Sequence, residues 1–119
     1  MRVLIAEDER IIALGLSSLI RRLGHEVSAT CPSGESCISS VESDRPDVVF
    51  MDIRMEGRMD GIEAAAILKD RWDMPVIFTT AFDDEETRTR AAATKPLAFL
   101  TKPLAGDVIK ELLGRLQLS

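Results

Sequence analysis

The chain has 119 residues, a formal net charge of -5, 45% hydrophobic residues and 29% charged residues, the proportions of an ordinary globular domain and not of a disordered or fibrous chain. That length lies in the usual range of one core, and with no break in composition it predicts a single domain over residues 1–119. The acidic balance without a Lys/Arg cluster argues against direct nucleic-acid binding, and the absence of an apolar run near ~20 residues or of a signal-peptide core predicts a cytoplasmic protein with no membrane contact.

In chain order, the first apolar run is "RVLIA" (Arg2 to Ala6), closed at once by Glu7, Asp8 and Glu9. A helical pattern follows, with Ile12, Leu16, Leu19, Ile20 and Leu23 on one face and Gly24 where a helix stops. "EVSATC" predicts a second strand, and Ser33 is placed to cap the next helix. "DVVFM" leads into Asp52 and a charged, glycine-containing stretch, after which Asp60 caps a third helix that ends at Trp72. "PVIFTT" and "LAFLT" predict the fourth and fifth strands. The last helix carries Val108, Ile109, Leu112, Leu113 and Leu116 on one side. Between strands four and five, "DDEETRTRAAAT" (Asp83 to Thr94) offers three alanines and no large apolar residue. Alanine buries little area, so this fourth helix is expected to be the loosest.

Five strands alternating with five helices imply an α/β fold, a doubly wound parallel sheet covered on both faces, in which "VVFM" and "VIF" are buried on both sides. In such sheets ligands bind beyond the carboxyl ends of the strands. There the sequence places Glu7-Asp8 after the first strand, Asp52 after the third, Thr79-Thr80 after the fourth and Thr101-Lys102 after the fifth. Two bare carboxylates ~5 Å apart repel by about 3 kcal/mol at an effective dielectric near 20. One lysine is too little charge for three such groups, so the set calls for a hard divalent cation with oxygen ligands, Mg²⁺. Lys102 and the Thr80 hydroxyl would then address phosphate oxygens that the metal leaves free, and Asp52 is equipped as a nucleophile forming an aspartyl phosphate. Acidic residues at strand ends are often only caps or solvated loop residues, and Glu9 and Asp60 read that way. Four strands supplying matching groups do not.

Taken together these residues resemble the receiver domain of two-component response regulators over essentially the whole chain. The acidic pair is similar to Glu7-Asp8, the phosphoacceptor to Asp52, the hydroxyl residue followed by alanine to Thr80-Ala81, and the Lys-Pro after the fifth strand to Lys102-Pro103. The resemblance implies the flavodoxin-like strand order 2-1-3-4-5. It implies metal ligation by Glu7, Asp8, Asp52 and the backbone carbonyl of Arg54, a cis peptide at Pro103, and a switch pair formed by Thr80 and Phe99. A sensor histidine kinase or phosphotransfer protein would supply the phosphoryl group, and a downstream target or effector domain would read it. A homodimer through helix 4, strand 5 and helix 5 is a further implied partner. On this reading the chain is not an enzyme but a signalling domain whose chemistry is its own phosphorylation and dephosphorylation. The sequence departs from the family pattern in "MEGRMDG", which lacks a proline and is one residue longer, and in "TKP" (Thr94 to Pro96), which replaces a Gly-Ala pair.

Rival readings fare worse. An aspartyl phosphatase wants a second carboxylate at the position of Arg54, and a flavin module would not carry "EDER" at its phosphate loop. A receiver-like interaction module that is never phosphorylated is the remaining alternative. Met51, Met55 and Met59 have helical spacing, but Gly57 and the preceding strand make the stripe an accident. His25 reads as a lone surface histidine, Trp72 as helix-edge packing, and Cys31 and Cys37 as small side chains without a disulfide.

Overall fold

The apolar runs fold as β1 (Arg2–Ala6), β2 (Glu26–Cys31), β3 (Val48–Asp52), β4 (Val76–Thr80) and β5 (Ala98–Thr101). Between and after them lie α1 (Arg10–Arg22), α2 (Gly34–Ser43), α3 (Gly61–Trp72), α4 (Glu85–Ala92) and α5 (Gly106–Leu118). These come from a computed structural model that describes residues 1–118. All strand pairings are parallel and the order is β2-β1-β3-β4-β5. The chain leaves β1 in one direction to make β2 and returns past it to make β3, so the strand order reverses beside the C-terminal end of β1.

Strand alternation divides the core into two layers. Val3, Ile5, Val48, Phe50 and Ile77 face α1 and α5, where they meet Leu16, Ile20, Ile109 and Leu113. Leu4, Ala6, Val49, Met51 and Phe78 face the other side and meet Cys37, Val41, Ile62, Leu68 and Ala91. Every residue of β3 and β4 is buried, Asp52 and Thr80 included. Cys31 and Cys37 are buried free thiols. Val108 departs from expectation: it is 42% exposed, because only Ile109 and Leu113 of α5 reach the sheet squarely.

Helix boundaries follow local chemistry. Gly24, at φ +93°, stops α1 in a conformation that L side chains rarely adopt. Ser33 and Asp60 both form capping boxes, with Ser36 and Glu63 respectively returning a bond to the cap backbone. The fourth helix is shorter than the run that predicted it. Asp84 is its N-cap, accepting from the Thr87 N–H at 3.0 Å, and Asp83 lies outside. Of its alanines only Ala91 is buried, with Thr87 as the other inward residue, so even the expected alanine face is reduced to one methyl group. The "TKP" departure has a local account: Lys95 sits at φ +54°, in the left-handed region that favours glycine. Lys95→Gly is therefore expected to stabilise the fold by about 1 kcal/mol, read as a higher urea midpoint.

Met55 and Met59 are not on a helix; both are partly buried and pack against the core from the β3–α3 loop. Trp72 ends α3, half-buried against the same core, with the Arg45 guanidinium 5.7 Å from its ring centroid. His25 is half-buried, its Nδ1 3.2 Å from the Met1 amine. No helix among the described residues is long and apolar enough to cross a membrane.

Candidate functional site

Parallel strands all end on the same side, so the polar residues that terminate β1, β3, β4 and β5 are delivered to one crevice. Glu7, Asp8 and Asp52 each bring one carboxylate oxygen into a group whose members lie within 4.8 Å of one another. Backbone bonds hold these ends in register: the Glu7 N–H donates to the Cys31 carbonyl at 2.9 Å, and the Lys102 N–H to the Thr80 carbonyl at 2.7 Å. The Lys102–Pro103 peptide is cis. The Lys102 ammonium donates to Glu7 Oε1 at 2.6 Å and lies 3.3 Å from Asp52 Oδ2.

The electrostatics are those of too many anions for one cation. Burial, the hydrogen bond with Glu7 and the Glu7 charge together push the Asp52 carboxyl up to about 7, against the opposing pull of Lys102. Burial raises Glu7 as well, but the Lys102 ammonium and the Glu9 N–H outweigh it and leave Glu7 below the ordinary carboxylate range. Burial disfavours the Lys102 ammonium, yet Glu7 and Asp52 hold its pKa above the usual lysine value. Lys102 alone does not return the Asp52 carboxyl to the ordinary carboxylate range. Three oxygen donors of this hardness, with Asp8 only half-buried and open to water, fit a divalent cation of the Mg²⁺ kind.

The remaining sequence candidates fall around this crevice with different orientations. Thr80 is fully buried, and its Oγ1 accepts the Phe82 N–H at 3.0 Å. Phe99 is half-buried on β5, and the Arg88 guanidinium of α4 lies 4.5 Å from its ring centroid. Arg54, two residues past Asp52, places its guanidinium 3.9 Å over the Phe82 ring and so joins the β3–α3 and β4–α4 loops.

Four features of the site were not assigned from the sequence. Gly61 lies against the end of β3: its N–H donates to the Ile53 carbonyl at 2.7 Å, and a Cβ there would stand 2.1 Å from the Asp52 carbonyl oxygen. Glu35, from the first turn of α2, accepts the Met59 N–H at 3.1 Å and so clasps the long β3–α3 loop. Within that loop Gly57 takes φ +106°. Arg90 of α4 reaches Asp60 at 3.0 Å. Only Gly57 left a local signal; the other contacts join residues far apart in the chain.

Comparison with known proteins gives the class to which this fold belongs. The family model "Response regulator receiver domain" matches residues 3–114, and the chain belongs to that family. It is 34% identical over 118 residues to the "Transcriptional regulatory protein PdtaR" of Mycobacterium tuberculosis, covering 99% of this chain and 56% of the relative. It is also 34% identical to the "Heme response regulator HssR" of Staphylococcus aureus, covering 97% of this chain and 49% of that protein. The chain thus spans about half the length of these curated relatives. Among solved structures, the signal receiver domain of a modulated diguanylate cyclase from Desulfovibrio desulfuricans superposes with a TM-score of 0.90 at 34% identity, covering 98% of this chain and 96% of that one.

Proposed function

We propose that the chain is a phosphorylation-operated receiver in which Asp52 accepts a phosphoryl group from a kinase or phosphotransfer-protein phosphohistidine. The observation that carries this reading is the cluster of Glu7, Asp8 and Asp52 with the Lys102 ammonium inside it. In the transfer an Asp52 oxygen forms the new P–O bond while the P–N bond of the donor breaks, its electron pair leaving on the imidazole nitrogen. Glu7, Asp8, Asp52 and the Arg54 backbone carbonyl would hold Mg²⁺, which neutralises charge on the phosphoryl oxygens when bound. Lys102 is already in reach of the nucleophile, and the Thr80 hydroxyl retains its own proton for a phosphoryl oxygen.

The test is a small donor, acetyl phosphate, with and without Mg²⁺, read by intact mass. A single phosphate gain is expected that needs Mg²⁺ and is lost in Asp52→Ala; a gain that survives the substitution would place the acceptor elsewhere. Asp8→Ala removes one metal oxygen, so it is expected to weaken Mg²⁺ binding by at least about tenfold and to slow labelling in parallel, measured by calorimetry and mass. Unaltered Mg²⁺ affinity in that variant would remove Asp8 from the ligand set.

The output is assigned to the surface of α4, β5 and α5, the face used for a target or a second copy. Support comes from the weak anchoring of α4 by Thr87 and Ala91, and from Phe99, whose ring has no hydroxyl to fix it and rests under Arg88. Phosphorylation then biases a pre-existing equilibrium of this element, for which a coupling of about 1–3 kcal/mol is enough. Hydrogen exchange with beryllofluoride is expected to change between residues 83 and 99. A change confined to Asp8 and Asp52 would move the output to another face.

A further inference from the structure

Besides the carboxylate crevice, the molecule has a second polar cavity, of about 380 Å³, between the β3–α3 loop and α4. It shares no lining residue with the Glu7, Asp8, Asp52 and Lys102 group. Three arginines line it, Arg54 and Arg58 from the loop and Arg90 from α4. Two carboxylates line it as well, but both are committed. Asp60 accepts the Glu63 N–H at 2.9 Å and Arg90 at 3.0 Å, and Glu63 accepts the Asp60 N–H at 3.1 Å. Arg54 spends its guanidinium on the Phe82 ring, an interaction that leaves its N–H donors available. Arg58 has no ion pair or hydrogen bond among the described residues. The loop is held in this form by Gly57 at φ +106° and by the bond from the Met59 N–H to Glu35, so Arg58 is presented from an ordered turn.

Among the lining residues three guanidinium groups face two engaged carboxylates, and of the acidic groups beside them Glu35 is spent on the Met59 N–H and Asp84 on Thr87, while Glu86 lies near Arg90; what the cavity offers is an excess of forked N–H donors, the donor set that suits phosphate oxygens. We propose that this cavity is a binding site for a small phosphate-bearing anion, held by Arg54, Arg58 and Arg90. Arg90 is the member with a choice, since it must divide its donors between Asp60 and the anion. Occupancy therefore loosens the link between α4 and the N-terminal end of α3, giving a route to the α4 surface that does not pass through Asp52.

The inference is tested on ¹⁵N-labelled Asp52→Ala protein without Mg²⁺, which separates it from the phosphoacceptor chemistry. Inorganic phosphate is titrated at constant ionic strength against sodium chloride. Saturable amide shifts are expected in residues 54–60 and in Glu85–Ala92. Arg58→Gln, a change in an exposed loop, is expected to raise the dissociation constant by at least about tenfold, the loss of one charge-assisted contact, and Arg90→Gln to do the same. Shifts that stay linear, that are equal in Arg58→Gln, or that concentrate at Glu7, Asp8 and Lys102 would overturn the site.

Discussion

Metal-free Asp52→Asn protein is expected to be more stable than the natural chain at pH 8, and the difference is expected to vanish toward pH 4. Asp52 is buried in the fold with its carboxyl held up to about 7, whereas in the unfolded chain it returns to an ordinary value near 3.9. Because the folded pKa is the higher one, the folded state keeps a proton that the unfolded state has lost. The stabilising contribution of this group is present below about pH 4 and disappears as the pH rises toward 7. At about 1.4 kcal/mol per pKa unit the whole effect is on the order of 2–4 kcal/mol. Glu7, whose pKa is lowered against burial by Lys102 and Glu9, works in the opposite direction, gaining stability as the pH rises above its unfolded value. Asparagine leaves Glu7 and Lys102 in place and removes only the Asp52 charge. Urea midpoints in EDTA at pH 4, 6 and 8 measure the difference. Equal midpoints at pH 8 would show that Asp52 ionises without strain. Saturating Mg²⁺ is expected to narrow the gap, since a cation held by the proposed ligand set in the folded natural chain would offset the same repulsion.

Gly61→Ala is the second large effect, expected to destabilise the fold by about 3 kcal/mol and to reduce labelling of Asp52 as well. An alanine Cβ at this position would lie 2.1 Å from the Asp52 carbonyl oxygen and 2.9 Å from the Ile53 Cα. Both obstacles are backbone, so no rotamer relieves the clash; α3 must lift away from the end of β3, and overpacking of this kind costs ~1–3 kcal/mol or more. The lift also breaks the 2.7 Å bond from the Gly61 N–H to the Ile53 carbonyl, which fixes the chain immediately after Asp52. Gly15 in α1 is the control. Nothing lies within 4 Å of a Cβ added there, so Gly15→Ala is expected to stabilise the protein by about 0.5–1 kcal/mol through helix propensity alone. Thermal denaturation of the two variants separates the cases, and a neutral Gly61→Ala would mean that the strand end yields freely.

The convergence of the candidate site residues was legible because they lie next to strong local signals. Asp52 ends an unbroken apolar run, Glu7 and Asp8 end another, and Lys102-Pro103 follows the fifth, so strand periodicity alone put them at one end of a parallel sheet. Ser33 and Asp60 were readable as caps for the same reason: a cap and its partner are three residues apart.

Only the tertiary structure decided how those groups share their charge. That Lys102 sits 2.6 Å from Glu7 and 3.3 Å from Asp52, and that the Asp52 carboxyl is pushed up, depends on burial and on distances between separate strands, which no spacing in the chain encodes. The same holds for the place of Gly61 against β3, for Arg54 over Phe82, for Arg88 over Phe99 and for the pairing of Arg90 with Asp60. Local sequence determines which residues form a strand, a helix or a cap, because those preferences arise within a few residues. The contacts that tune an acid, leave α4 held by its arginines and give Arg58 a cavity to face arise where distant segments meet, and the packing of the whole sheet sets their geometry.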